Sequence, residues 1–192
     1  MWAKRKNQGF TIVELLIVIV VVAVLAAITV AAYNGVQERG RTSSRLSAIR
    51  SIQKALEGYK AINGVYPAYN AIGTAQPAGF TPIYSTSYEY SVATNDTWMK
   101  TLVQSGLVSN SIKDPINNND HYFVYIAYGP GGVGSCPEPF YMLMAVGWEG
   151  GVATMPSDAR TLNCSVSGVV TAGWTQNSTR AVFSNLNHPT GT

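Results

Sequence analysis

The sequence is poor in the residues from which active sites are usually built. Charged residues make up 12% of the chain, and it has only two histidines and two cysteines. His121 and His188 lack acidic or cysteine residues at ligand spacing, so neither indicates a metal site or a catalytic base. The glycines of residues 129–134 lack a following Lys and Ser or Thr, which argues against a phosphate-binding loop. The sequence therefore predicts neither an enzyme nor a cofactor.

Charge does not indicate a nucleic-acid partner either. The formal net charge is +3, and Lys4, Arg5 and Lys6 account for all of it. Residues 10–60 are net positive and residues 61–192 net negative. This complementarity could help the C-terminal part dock on its own or a neighbouring helix, but charges on a helix face are more often merely solvated. The basic residues between Arg39 and Arg50 could alternatively contact lipid phosphates.

The N-terminal region contains one long apolar run. Residues 10–32 are 23 residues, apolar except for Glu14 and two threonines. A helix of that length is about 34 Å long, enough to cross a membrane. Valine and isoleucine would also suit a strand, but strands rarely exceed roughly ten residues. The basic residues before the run predict a cytoplasmic N-terminus and an extracytoplasmic position for everything after residue 32.

Glu14 is the anomaly in this run. An isolated carboxylate near the bilayer centre costs about 2.5 kcal/mol or more, so a functional reason is expected for it. Gly9 and Phe10 come directly before this part of the run, and Phe10 lies one helical turn from Glu14.

These residues together resemble the processing site of type IV pilins and the related type II secretion pseudopilins. A short basic leader ends at Gly9, and Phe10 to Leu16 (FTIVELL) follows in the order typical of that family. The resemblance is strong over about the first 30 residues. It implies cleavage after Gly9 by a prepilin peptidase, N-methylation of Phe10, and assembly on a pilus assembly platform. The implied cleavage would create an α-ammonium group at Phe10, and Glu14 could pair with that cation, either its own or that of the next subunit. The resemblance also implies that Glu14 and Phe10 set the register between subunits of a filament.

Two other interpretations of the N-terminus are a cleaved secretory signal and a plain signal anchor. The apolar run is longer than the usual 7 to 15 residues of a signal sequence. Neither interpretation explains Gly9, Phe10 and Glu14 together.

Beyond residue 32 the pattern becomes amphipathic. Apolar residues recur at spacings of three and four, which predicts a buried stripe on one helix face: Leu46, Ile49, Ile52, Leu56, Tyr59 and Ile62. Gly64, followed by Pro67, predicts the helix end. One helix is therefore expected over about residues 10–63, with Gly35 and Gly40 as possible loosening points.

The remainder predicts a small antiparallel sheet. A short helix is expected over residues 97–107, capped by Asn95 or Asp96. Alternating apolar residues predict strands over 121–128 and 140–148, and shorter strands are expected around 166–171 and 180–184. The predicted class is α+β, with the sheet packed on the C-terminal half of the long helix.

The two cysteines and one acidic loop complete the candidate sites. Cys136 and Cys164 lie in the predicted extracytoplasmic part, which favours a disulfide over free thiols, and the family resemblance implies the same bridge. No metal site is predicted. A loop with clustered oxygen ligands is a calcium candidate by analogy with some pseudopilins, although such residues are also ordinary turn formers: Asp114, Asn117, Asn119 and Asp120.

The predicted organisation has four parts: a cleaved leader (1–9), a membrane and filament-core helix (10–32), an amphipathic helix (33–63) and a globular head (64–192). The predicted function is a structural type IV pilus subunit, membrane-inserted before assembly and extracellular in the homopolymer afterwards. The alternatives are a minor pilin or a secretion pseudopilin, and a membrane-anchored binding domain that never polymerises.

Overall fold

The computed structural model describes residues 10–68, 88–92, 98–128, 139–157, 159 and 179–185. The fold of this part is α+β, as predicted: a long N-terminal helix is followed by a small antiparallel sheet. The elements, in chain order, are α1 (Ile12–Asn63), β1 (Glu89–Tyr90), α2 (Lys100–Gln104), β2 (Tyr122–Tyr128), β3 (Phe140–Val146), a 3-10 turn (Val152–Thr154) and β4 (Arg180–Ser184).

Helix α1 is continuous over 52 residues. It ends at Asn63, because Gly64 adopts a left-handed conformation with φ of 77° and its N–H donates to the Lys60 carbonyl at 2.8 Å. This is the glycine stop that the sequence predicted. The helix runs through Gly35 and Gly40 without a break.

The chain divides into two compact units, residues 1–40 and 41–192. In the described part of the first unit, the large apolar side chains from Phe10 to Val36 are exposed, with exposed fractions between 50% and 84%. By its length and composition, α1 is able to cross a membrane.

The four strands in the described part of the second unit form one sheet in the order β1-β2-β3-β4, and every neighbouring pair is antiparallel. Strands β2 and β3 pair along their whole length, from Tyr122 opposite Val146 to Tyr128 opposite Phe140. The prediction of two paired strands is confirmed, and β4 lies where a strand was expected.

Helix α1 packs on one face of this sheet through the predicted stripe. Ile49, Ile52 and Leu56 are buried against a sheet face that presents Phe123, Tyr125, Tyr141, Leu143 and Phe183. The alternate residues of β2 and β3, such as Val124 and Met144, are buried on the opposite face. The alternation did not indicate which face the helix covers, because both faces of β2 and β3 are apolar and buried.

Three predicted details differ from the structure. Ile62 is not part of the core, since 73% of its surface is exposed in the last helical turn. Helix α2 has five residues and follows Met99, whose backbone is left-handed, so it is shorter than expected. The two-residue β1 was not predicted. Asn95, Asp96 and residues 166–171 lie outside the described residues.

Tyr125 gives the sheet a pH dependence at high pH. Its hydroxyl is buried and donates to the Pro67 carbonyl at 2.8 Å. Burial, and secondarily the charge of Glu89, raise the pKa of Tyr125 well above its ordinary value. As the pH rises, the unfolded chain therefore loses this proton before the folded chain does, starting near pH 10. The contribution of Tyr125 to the free energy of unfolding is fully present below that pH and falls as the pH rises further.

We expect Tyr125→Phe to flatten this alkaline loss. The variant lacks the titrating hydroxyl, so its stability above about pH 10 should fall less steeply, by up to about 1.4 kcal/mol per pH unit. At neutral pH it should be about 1 kcal/mol less stable, because the Pro67 carbonyl loses its donor. Thermal unfolding between pH 7 and 11 measures both effects, and parallel pH profiles for the two proteins would contradict the argument.

Candidate functional site

The N-terminal end of α1 carries a reciprocal cap between Thr11 and Glu14. The Thr11 backbone N–H donates to Glu14 Oε2 at 2.8 Å, and the Thr11 hydroxyl lies 2.7 Å from the same oxygen. In return, the Glu14 backbone N–H donates to Thr11 Oγ1 at 3.2 Å. This is a capping box, in which a Thr before the helix and a Glu three residues later satisfy each other's free N–H groups.

The cap gives Glu14 a local role that our sequence argument missed, although the spacing Thr-x-x-Glu before an apolar run was the signal. Its two partner atoms on Thr11 are both neutral donors. They orient the carboxylate but supply no positive charge. The role expected for Glu14 in pairing with a cation at Phe10 is therefore compatible with this geometry.

Phe10 precedes this cap and is 81% exposed. From there to Val36, the large apolar side chains that the structure describes in the first unit are exposed, which is more apolar surface than soluble monomers ordinarily present. Apolar surfaces of this extent are typical of membrane or protein-protein contact sites. The predicted cleavage position, Gly9, lies outside the described residues, as do Cys136 and Cys164.

Where α1 enters the second unit, two arginines one turn apart contact the head. Arg41 Nε lies 2.8 Å from both carboxylate oxygens of Glu149. Arg45 is buried, and its Nε and Nη2 both lie 2.7 Å from Asp114 Oδ2. Docking of the head on its own helix, one of the three interpretations of the charge pattern, is therefore seen at Arg41 and Arg45.

The lipid-contact alternative for the basic cluster loses Arg45, which is buried, and Arg41 is engaged by Glu149. Arg39 and Arg50 are exposed at the helix surface, although Arg50 also lies over the Phe183 ring at 5.8 Å and bonds Gln53. Lipid contact by these two exposed residues stays a prediction.

The calcium-candidate loop is organised by other contacts. Asp114 is engaged by Arg45 and, through its second oxygen, by the Ile116 N–H at 2.9 Å. The Asn117 side chain exchanges hydrogen bonds with Ser91, at 2.6 and 3.1 Å. Asn119 and Asp120 are exposed. Within the described ranges, no three His, Cys, Asp or Glu side chains are grouped to hold a metal ion.

Burial of Arg45 was not anticipated either. Arg45 lies four residues before Ile49 and therefore on the apolar stripe, and Arg41 lies one turn earlier on the same face. A charged residue in phase with a buried stripe was the signal that a buried ion pair should be sought.

Comparison with known proteins finds a family match in the N-terminal segment. The family model described as the prokaryotic N-terminal methylation motif matches residues 4–30. The type IV major pilin protein PilE1 of Neisseria gonorrhoeae is 35% identical over 72 residues, which is 38% of this chain and 34% of that protein. The type II secretion system core protein G of Escherichia coli is 37% identical over 70 residues, or 36% of this chain and 48% of that one.

The alignment to these two relatives spans between about a third and a half of their length. A longer alignment links the chain to the type IV major pilin protein PilA of Myxococcus xanthus, at 24% identity over 166 residues, 83% of this chain and 70% of the relative. No solved structure matches the chain significantly.

Proposed function

We propose that this chain, which belongs by its N-terminal segment to the type IV pilins and type II secretion pseudopilins, is a structural subunit of a type IV pilus. The observation that carries the proposal is the continuous exposed apolar surface of α1 from Phe10 to Val36, with a single carboxylate, Glu14, at its start. A surface of this kind serves a membrane before assembly and the core of a fibre afterwards. The role is structural rather than enzymatic.

Before assembly, the subunit is inserted in the membrane. Lys4, Arg5 and Lys6 keep its N-terminus on the cytoplasmic side. A prepilin peptidase cuts after Gly9, and Phe10 becomes the methylated N-terminus. The new ammonium group is the missing counter-ion for Glu14. Because both groups are costly to bury alone, pairing between an incoming subunit and the last one added favours a single axial register.

Repetition of that contact builds the filament. The same two surfaces, used head to tail along a screw axis, give an open polymer rather than a closed ring. The partners implied are further copies of this chain, the peptidase and a membrane assembly platform. Small exposed side chains along the apolar segment allow the helices to approach closely: Ala23, Ala26, Ala27 and Ala32.

The length of the Myxococcus alignment supports a pilin over a pseudopilin. That alignment covers 83% of this chain and therefore includes head residues, whereas the match to core protein G covers 36% of the chain. The pseudopilin is the second candidate, because its N-terminal segment matches equally well. A minor pilin, and an anchored binding domain that never polymerises, are the further alternatives.

Fibres sheared from cells that express this chain test the proposal. We expect electron microscopy to show surface filaments whose main protein begins, by mass spectrometry, with methylated Phe10. Abundance in the fibres distinguishes a major from a minor pilin. Fibres confined to the periplasm would indicate the pseudopilin. A mature N-terminus at any other residue, or a chain that stays monomeric in the membrane, would overturn the proposal.

A further inference from the structure

Three oxygen-bearing groups of the head converge on the Arg45 guanidinium. Asp114 Oδ2 lies 2.7 Å from both Nε and Nη2, and the Gly147 carbonyl oxygen lies 2.6 Å from Nη1. The Val146 carbonyl accepts from Nη2. The Trp148 ring covers the group, with its centroid 5.6 Å from Cζ. Both Arg45 and Asp114 are almost wholly buried, at 1% and 3% exposure.

These groups are held in place by the head itself. Asp114 is oriented by the Ile116 N–H on its other oxygen. Val146 is the last residue of β3, paired with Tyr122, and Trp148 is fixed by a hydrogen bond from its indole N–H to Thr154. A carboxylate, two carbonyls and an aromatic face are the elements of a cation-binding site.

We propose that the head carries a buried cation-binding site formed by Asp114, Val146, Gly147 and Trp148, that Arg45 fills it in the native chain, and that a free guanidinium ion binds there when Arg45 is truncated. This site involves only the head and Arg45, so the proposal goes beyond the proposed function. Its test does not depend on filament assembly.

The chemistry favours a planar organic cation over a metal ion. The nitrogen-to-oxygen distances are those of charge-assisted hydrogen bonds, and a guanidinium directs its N–H donors outward in one plane. The flat cation also suits the face of Trp148. Calcium takes six to eight oxygen ligands, and the described residues around Arg45 Cζ offer one carboxylate oxygen and two carbonyls.

The test uses the full-length chain in detergent micelles with Arg45→Ala. Thermal unfolding is followed by near-ultraviolet circular dichroism at constant ionic strength, with guanidinium chloride added to about 20 mM, roughly a hundredfold below denaturing concentrations. Ethylguanidinium is a second probe, because it also replaces part of the lost side-chain stem. Urea, a neutral planar molecule of similar size, and calcium chloride are the comparison ligands.

We expect a saturable rise in the Tm of Arg45→Ala, about 3 to 6 °C at a guanidinium concentration ten times its Kd. Ethylguanidinium should give half of the maximal shift at a lower concentration. Arg41→Ala is the matched control, since it removes the neighbouring arginine from a site that is open to solvent. That variant, the wild type and the double variant with Asp114→Asn should show no rise.

The titration remains informative even if Arg45→Ala is unfolded in buffer alone. The same titration is then read as recovery of the folded near-ultraviolet signal on adding guanidinium. No recovery and no shift would overturn the proposal. An equal response to urea, a larger response to calcium, or the same response in Arg41→Ala would also overturn it.

Discussion

Glu14→Gln leaves the subunit inserted in the membrane and cleaved after Gly9, but lowers its content in sheared filaments at least about tenfold. The expected loss follows from the charge alone. Glutamine has nearly the shape of glutamate and can fill the third helical position of a capping box, so the N–H of Thr11 keeps its partner. What disappears is the negative charge that the proposed ammonium at Phe10 would pair with.

Thr11→Ala is the matched variant for this experiment. It removes the hydroxyl that bonds Glu14 while leaving the charge, and a lost cap costs about 1 kcal/mol of helix stability. We expect it to enter filaments at close to the wild-type level. Quantitative blotting of sheared and cell-bound fractions compares the three proteins. Filament yields from Glu14→Gln that equal those of the wild type would refute charge pairing, and poor yields from Thr11→Ala alone would assign the role to the cap.

Among the glycines whose surroundings the structure describes, Gly147 should give the largest loss of head stability when it is replaced by alanine. The backbone there has φ of 71°, and an added Cβ would overlap the Asp120 carbonyl oxygen and lie 2.7 Å from Cδ2 of His121. The left-handed conformation costs about 1 to 2 kcal/mol for a non-glycine residue, and relief of the clash must move backbone. That movement displaces the carbonyl that Arg45 contacts. We expect a total loss of about 3 kcal/mol or more.

Gly106→Ala separates the two causes. Gly106 has nearly the same conformation, with φ of 73°, but nothing lies within 4 Å of an added Cβ. It should therefore show the conformational cost alone, a fall in Tm of roughly 2 to 8 °C for a chain of this size. Thermal unfolding of both variants in the same detergent gives the comparison. Equal falls for the two would show that the close approach at Gly147 contributes nothing.

The parts of the fold that could be predicted are those that local chemistry decides. The end of α1 at Asn63 follows from the conformational freedom of Gly64, and β4 follows from a short apolar run between polar residues. By contrast, the exposure of Ile62 depends on where the head stops covering the helix. That boundary is set by tertiary packing, whereas the repeating apolar pattern of the stripe continues beyond it.

The side of the sheet that α1 covers illustrates a second limit. Strand β2 is apolar at successive positions, so Phe123 and Val124 satisfy the same criterion while pointing to opposite faces. Charged residues posed a similar problem. A solvated arginine and one buried against Asp114 look alike in composition, and only the phase of Arg45 with Ile49 distinguishes them. The candidate assembly residues were easier to identify, because a carboxylate in an apolar run is conspicuous by itself.

The placement of the two arginine contacts bears on how a soluble version of the head should be trimmed. A truncation that starts at residue 46 would retain the four described strands and the whole apolar stripe, yet it would leave the buried carboxylate of Asp114 without its positive partner on α1. A truncation that starts just before Arg41 keeps both arginine contacts and removes the exposed apolar N-terminal segment. The useful cut site is thus dictated by electrostatics rather than by the limits of the hydrophobic core.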